Sequence, residues 1–190
     1  RSDEGELPGS VVYTLEDAVA TRPEVAFVTG PATHHVEVAL ALVRAGAHLF
    51  IEKPLSVSMD QIDTLRIEAR ERRRTLMVGY TLRYSPSLRT VHDAIVAGEI
   101  GDLLNIQAHV GQYLPHWRSG RDYRTTVSAR RALGGGALLE LSHELDYVRW
   151  LGGDVTEVRA TVGRHSRLEI DVEDTADLLL EFARCGSANI

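Results

Sequence analysis

Phe50-Ile51-Glu52-Lys53-Pro54 is the stretch on which the reading of this chain turns. Apolar residues of a short strand run straight into a carboxylate, an amine and a proline. In a parallel sheet, ligands gather at the carboxyl ends of the strands, so this order aims the charged pair at a cleft. Proline fixes its own φ and pushes the preceding residue out of helical space, so Lys53 is held in place rather than trailing. Taken alone, Glu-Lys-Pro reads more readily as a strand end capped by a surface salt bridge. The flanking sequence has to decide.

Upstream, Val25 to Thr29 is a continuous apolar run, expected to be a strand buried on both faces, and it ends at Gly30-Pro31. Val36, Ala39, Leu40 and Val43 recur at helical spacing, with Gly46 in place to stop that helix, and His48 to Ile51 completes a parallel strand, helix, strand crossover. Before it, Arg1 to Gly9 reads as a loop and Thr14 caps a short helix from Leu15 to Ala20. Downstream, a helix from Ser58 is expected to turn Met59, Ile62, Leu65 and Ala69 inward and to end in a solvated cluster of Arg70, Arg72, Arg73 and Arg74. Leu76-Met77-Val78 is the next buried strand.

The pattern changes after Gly79. Ser85-Pro86 opens a helix with Leu88, Val91 and Ile95 inward, closed by Gly98 and Gly101. Leu104, Ile106, Ala108 and Val110 alternate with Asn105, Gln107 and His109, the mark of a strand with one wet face in an antiparallel sheet; residues 156–162 and 178–182 repeat the habit. The expected fold class is therefore α/β: residues 1–80 form the later part of a doubly wound parallel sheet of Rossmann type. Residues 81–190 form an α+β unit with a mainly antiparallel sheet.

A chain of 190 residues with 44% apolar and 25% charged residues can bury a real core. The net charge of −6, without a basic stripe or an apolar run near 20 residues, argues against nucleic acid and membrane as partners and for a small molecule. The lone Cys185 cannot make an internal disulfide, which fits a cytoplasmic setting. None of the eight histidines stands at metal-ligand spacing, so no metal is expected. The chain starts on Arg1 and breaks off within a strand at Ile190, so it reads as part of a longer protein.

Three constellations can carry chemistry. After Gly134-Gly135-Gly136, one helix would place Leu138, Leu141, Leu145 and Val148 on one face and Glu140, His143, Asp146, Tyr147 and Trp150 on the other. A histidine with carboxylates three residues before and after it can be oriented and kept basic, as a general base requires. A solvated helix face is the bland alternative. The triple glycine favours the first by letting backbone approach a ligand. The second constellation is Gly30 to His35, where a strand hands over to a helix and His35 would face the crevice; taken alone, His34 and His35 read better as polar residues of a first helical turn. The third is the loop from Tyr113 to Arg124, with Trp117, Arg121 and Tyr123. Its aromatic faces and guanidinium forks suit a sugar or anionic sugar derivative, and they suit an oligomer contact equally.

In order along the chain, Gly30-Pro31 with His35, Glu52-Lys53-Pro54, Gly79-Tyr80 through Arg83-Tyr84 and Pro86, Gly98 with Gly101, Gly134-Gly135-Gly136, and His143 with Asp146 resemble the glucose-fructose oxidoreductase, inositol dehydrogenase and rhizopine-catabolism (Gfo/Idh/MocA) family. The resemblance implies an enzyme that binds NAD or NADP and moves hydride to or from a sugar, sugar derivative or cyclitol. It makes Lys53, His143 and Glu140 catalytic, Lys53 holding the reacting oxygen and His143 carrying its proton. Gly30, Pro31, His35, Glu52, Lys53, Pro54 and Arg83 would line the cofactor, and Tyr113, Trp117, Arg121, Tyr123 and Asp146 the substrate. A homo-oligomer, dimer or tetramer, follows from the same likeness. The family's first strand and Gly-x-Gly-x-x-Gly loop have no counterpart here, and Arg1-Ser2, falling where the adenosine ribose would be read, hints at NADP. Glu140 stands three residues before the histidine where the family places an aspartate four before. A nucleotide-binding regulator without turnover and an NAD-dependent glycosidase remain the alternatives.

Overall fold

The computed structural model describes residues 9–190, so the Arg1-Ser2 pair and most of the first loop lie outside the described residues. Helix α1 (Leu15–Ala20) starts as the sequence dictates. Thr14 Oγ1 accepts from the Asp17 N–H at 3.1 Å, and Glu16 and Asp17 occupy the first turn. Strand β1 (Val25–Val28), helix α2 (His35–Ala45), strand β2 (His48–Ile51), helix α3 (Ile62–Glu71) and strand β3 (Leu76–Val78) follow. The strands pair in parallel in the order β1–β2–β3. Parallel neighbours need a long crossover, and α2 and α3 supply it. Gly46 ends α2 at φ +100°, its N–H reaching the Val43 carbonyl at 3.0 Å.

One face of this sheet packs on the two helices: Val36, Ala39, Leu40 and Val43 of α2 and Leu65 and Ala69 of α3 are buried against Val28, Leu49 and Ile51. The opposite face is open among the described residues. β1 is an edge strand with Val25 and Phe27 exposed, Phe27 meeting Phe50 at 5.5 Å, and Met77 of β3 is also exposed. Among the described residues β1 and β3 are thus covered on one face, where both were expected; a short apolar run does not distinguish one covered face from two. Met59 is corrected likewise. It is 81% exposed because Gln61, at φ +58°, breaks the chain direction and α3 begins only at Ile62.

Helix α4 (Pro86–Val96) carries proline at its first turn as expected, but it buries no residue, and Val91 is exposed. Strand β4 (Asn105–Gln107), the single turns α5 (Leu114–Trp117) and α6 (Ala137–Glu140), helix α7 (His143–Gly152) and strands β5 (Val155–Gly163), β6 (Thr175–Phe182) and β7 (Ser187–Asn189) complete the chain. The second sheet runs β4–β7–β6–β5. β5 and β7 lie antiparallel to β6, whereas β4 is parallel to β7. The alternating stretch 104–110 therefore yields a three-residue parallel strand rather than a long antiparallel one. Its Asn105–Gln107 segment finds β7, while Leu104 and Val110 stay exposed. Val148 of α7 packs with Ala108, Leu180, Phe182 and Ala188, covering one face of the sheet. Among the described residues no helix is long and apolar enough to cross a membrane.

Candidate active site

The ends of the three parallel strands are tied together before any side chain acts. The Glu52 N–H donates to the Val28 carbonyl and the Gly79 N–H to the Ile51 carbonyl, both at 2.8 Å. On this platform Glu52 Oε2 accepts from the Lys53 N–H at 3.1 Å, and the Lys53-Pro54 peptide is cis. The Lys53 amine crosses to the second half of the chain and donates to the backbone carbonyl of Glu140 at 2.8 Å. Two of its three protons are left for other acceptors.

His35 lies behind these loops. It is 1% exposed, with Nδ1 2.9 Å from the Pro54 carbonyl and Nε2 2.9 Å from the Gly30 carbonyl. A neutral imidazole donates from one nitrogen only, so the tautomer decides which carbonyl receives the proton. The expectation that His35 faces the crevice is corrected: the turn Ala32–His34 delivers the ring inward, where it bridges the loops that leave β1 and β2. His34 is the exposed member of the pair, 3.8 Å from Glu37.

His143 begins α7. Its Nδ1 is buried without a hydrogen-bond partner, and the Tyr80 ring meets it edge-on with centroids 5.7 Å apart. The Tyr80 hydroxyl donates to Ser142 Oγ at 3.4 Å. Burial, and after it the positive charge of Lys53, hold the imidazole below the ordinary histidine range; Glu144, Asp146 and Glu52 oppose this without reversing it. The charge of Lys53 thus reaches His143, although ninety positions separate them in sequence.

The two carboxylates expected to flank His143 are both bonded elsewhere, although the charge of Asp146 still favours its protonated form. The single helix expected to carry Glu140 and His143 on one face is broken at Leu141-Ser142, where Leu141 adopts φ −103° and ψ 27°. Freed from that face, the Glu140 carboxylate accepts from Ser128 Oγ at 2.7 Å. Asp146 is engaged by Arg83 in a two-pronged pair, Nε to Oδ2 and Nη2 to Oδ1, both 2.7 Å. Arg83, expected beside the cofactor, and Asp146, expected beside the substrate, satisfy each other here.

The triple glycine makes room for the protein itself: a Cβ at Gly134 would meet the Val57 side chain and one at Gly136 the Glu173 carboxylate. A Cβ at Gly135 would overlap the Val127 carbonyl oxygen and lie 2.8 Å from the Ser128 carbonyl carbon. Gly136, at φ +112°, donates its N–H to the Ser128 carbonyl at 3.2 Å. This close approach is what delivers Ser128 to Glu140. No sequence signal marks Ser128, since its role is purely tertiary.

Tyr113 and Trp117 line a cavity of about 410 Å³ together with Ser128, Glu140 and Glu173. Neither Lys53 nor His143 is on its wall; Glu140 joins the two places, its carbonyl on Lys53 and its carboxylate beside the cavity. Tyr123 does not share it. Its ring packs on Ala129, Ile170 and Val172, and its hydroxyl accepts from the Glu169 N–H at 3.2 Å, which accounts for its position structurally. Arg121 is exposed and off the cavity wall, while Arg124 pairs with Asp122 and Glu169. Among the described residues no group of three or more His, Cys, Asp or Glu side chains converges.

Two family models match. Residues 6–80 match the oxidoreductase family with an NAD-binding Rossmann fold, and residues 88–190 match the GFO/IDH/MocA C-terminal domain. Trans-1,2-dihydrobenzene-1,2-diol dehydrogenase of Bos taurus is 29% identical over 161 residues, covering 84% of this chain and 45% of the relative. The 1,5-anhydro-D-fructose reductase of Ensifer adhaerens is 32% identical over 150 residues, covering 77% and 43%. Among solved structures, GenD2 from gentamicin A biosynthesis, in complex with NAD, superposes with a TM-score of 0.80 at 29% identity, over 95% of this chain and 51% of that one. The chain spans about half the length of the curated relatives it matches. With a Rossmann-type segment, a second mixed sheet and both family models matched in order, the chain belongs to the GFO/IDH/MocA oxidoreductase family.

Proposed function

We propose that the chain carries the reacting end of an NAD- or NADP-dependent dehydrogenase or reductase, acting on a hydroxyl or carbonyl carbon of a sugar, sugar derivative or cyclitol. The observation that supports this reading is the Lys53 amine, leaving the carboxyl edge of a parallel sheet, reaching the Glu140 carbonyl three residues before His143, an imidazole on which its charge acts. Names of relatives support the substrate class: an anhydro-sugar reductase and a dihydrodiol dehydrogenase.

The residues present fit the nicotinamide end of the cofactor. An amine at the strand end with protons to spare is what a site awaiting a substrate oxygen would show. Bound there, a nicotinamide supplies or accepts the hydride. Lys53 donates hydrogen bonds to the reacting oxygen and stabilises the negative charge that grows on it. His143, neutral near pH 7 because burial and Lys53 lower its proton affinity, takes the hydroxyl proton in oxidation and returns it in reduction. Glu140 acts through its backbone carbonyl, which fixes the amine. Gly30, Pro31, Glu52 and Pro54 border the cofactor, with His35 bracing them from beneath, and Tyr113 and Trp117 receive the distal part of the substrate. Units divided near residue 80, a homo-oligomeric assembly and a cytoplasmic setting complete the reading.

The test is nicotinamide reduction by the full-length protein against a panel of sugars and cyclitols with each nucleotide. Lys53→Ala and His143→Ala are expected to lower turnover by about 10²- to 10⁴-fold with circular dichroism unchanged. Full activity in either variant, or nucleotide binding without hydride transfer across the panel, overturns the assignment.

A further inference from the structure

Arg83 and Asp146 form the one two-pronged ion pair that joins the exit of β3 to α7. The carboxylate is the more buried partner, 11% exposed against 37% for the guanidinium, so it is ill placed to find water in place of Arg83. Arg83 is itself fixed. Its guanidinium lies 5.9 Å from the Trp150 ring, and Trp150 stacks on His92 of α4 at 4.1 Å and 8°. Three elements therefore converge on this pair, which a casual surface contact would not require.

Asp146 is three residues after His143 on the same helix, the spacing at which side chains are neighbours. A free carboxylate there would stabilise an imidazolium or draw the proton of the unpartnered Nδ1. The charged and titratable groups that face His143 are Lys53 and Glu52 from the exit of β2, Tyr80 from the exit of β3, and Glu144 and Asp146 from α7 itself. Among the described residues, Asp146 alone of the three carboxylates has an ion-pair partner.

We propose that Arg83 is a positioning residue: by occupying both Asp146 oxygens it keeps that carboxylate from bonding His143 and weakens its pull on the imidazole, and it pins α7 against the exit of β3. The inference deepens the reading of His143 as the proton carrier and rests on it for its functional meaning. Its test does not, because it reads the charge on one imidazole in nucleotide-free protein.

The experiment is a proton NMR titration of the histidine ring signals, with His143 assigned by the signal lost in His143→Gln. Arg83→Gln is expected to move the His143 midpoint up by about half a pH unit, as an uncompensated neighbouring carboxylate should. Arg83→Lys keeps a cation in place and should leave the midpoint near the parent value. Asp146→Asn, which leaves Arg83 unopposed, should move it down. An unmoved or lowered midpoint in Arg83→Gln overturns the proposal. Where Arg83→Gln does not fold, the neutral double variant Arg83→Gln/Asp146→Asn decides: a midpoint closer to the parent than that of Asp146→Asn supports the proposal, and the same fall as Asp146→Asn overturns it. Loss of hydride transfer with the expected titrations would sink the enzyme assignment and leave the screening intact.

Discussion

Replacing Gly135 by alanine adds one methyl group at the tightest backbone approach around the site. The φ of Gly135 is not in the left-handed region, so the cost is one of space rather than of conformation. The added Cβ would overlap the Val127 carbonyl oxygen and press on Ser128 at 2.8 Å, where real Cβ atoms essentially never come under 3.0 Å. Neither neighbour yields easily, because both are backbone and the two strands of chain are joined by Gly135 N–H to Arg130 O at 3.0 Å and Gly136 N–H to Ser128 O at 3.2 Å. Overpacking of this kind costs about 1 to 3 kcal/mol. At about 2 to 4 °C per kcal/mol for a chain of this size, the melting temperature should fall by roughly 2 to 12 °C. Gly111→Ala is the control: nothing lies within 4 Å of its added methyl, so a change within about 0.5 kcal/mol is expected. Urea denaturation reads both, as a shift in midpoint at constant slope. Because the displaced Ser128 supports Glu140, whose carbonyl fixes Lys53, Gly135→Ala should also lower turnover. A Gly135→Ala protein with the midpoint of Gly111→Ala would refute the reasoning.

Three further outcomes are expected. Alcohol oxidation should lose rate at acid pH as His143 gains its proton, and the midpoint of that limb should lie below 6.5, since burial and Lys53 lower it; a limb above 6.5 in the pH profile of kcat/KM would contradict this. Burial alone would raise Asp174, but hydrogen bonds from Ser166, the His165 N–H and Thr175 outweigh it and hold the carboxyl at about 2, against 3.8 for a free side chain. That depression favours the folded state above about pH 3.8 and is lost as pH falls towards 2, so Asp174→Asn should flatten the stability profile over that window, as read by denaturation at stepped pH. Leu65→Ala, at a 1% exposed position, should cost about 2 to 5 kcal/mol, whereas Met59→Ala, at 81%, should be nearly silent; thermal melts that rank them otherwise would contradict the assignment of the core.

What could be read from the sequence was what short-range chemistry decides. The crossover built on Val36, Ala39, Leu40 and Val43, the Gly46 stop, the Thr14 cap and the Glu52-Lys53-Pro54 strand end are local patterns, and all are present in the structure. The open face of β1 and β3 was not legible, because Val25, Phe27 and Met77 are as apolar as residues that are covered. The parallel pairing of β4 was hidden for another reason: alternation reports which face is wet, and not which strand is the neighbour. In the candidate site, helical spacing singled out His143 but assumed an unbroken helix. The break at Leu141-Ser142 turned Glu140 towards Ser128, a residue with no motif of its own. Arg83 and Asp146 were each legible as charged residues of interest, and only the tertiary structure shows that they answer each other.

The most direct test is a crystal structure of the full-length protein with reduced nicotinamide and a sugar-like substrate bound. The account predicts that the reacting oxygen lies within hydrogen-bond distance of both Lys53 Nζ and the His143 ring, with the nicotinamide carbon facing the same substrate carbon. A nicotinamide ring seated away from the carboxyl edge of β2, or a substrate held where only one of these two side chains can reach it, would contradict the account.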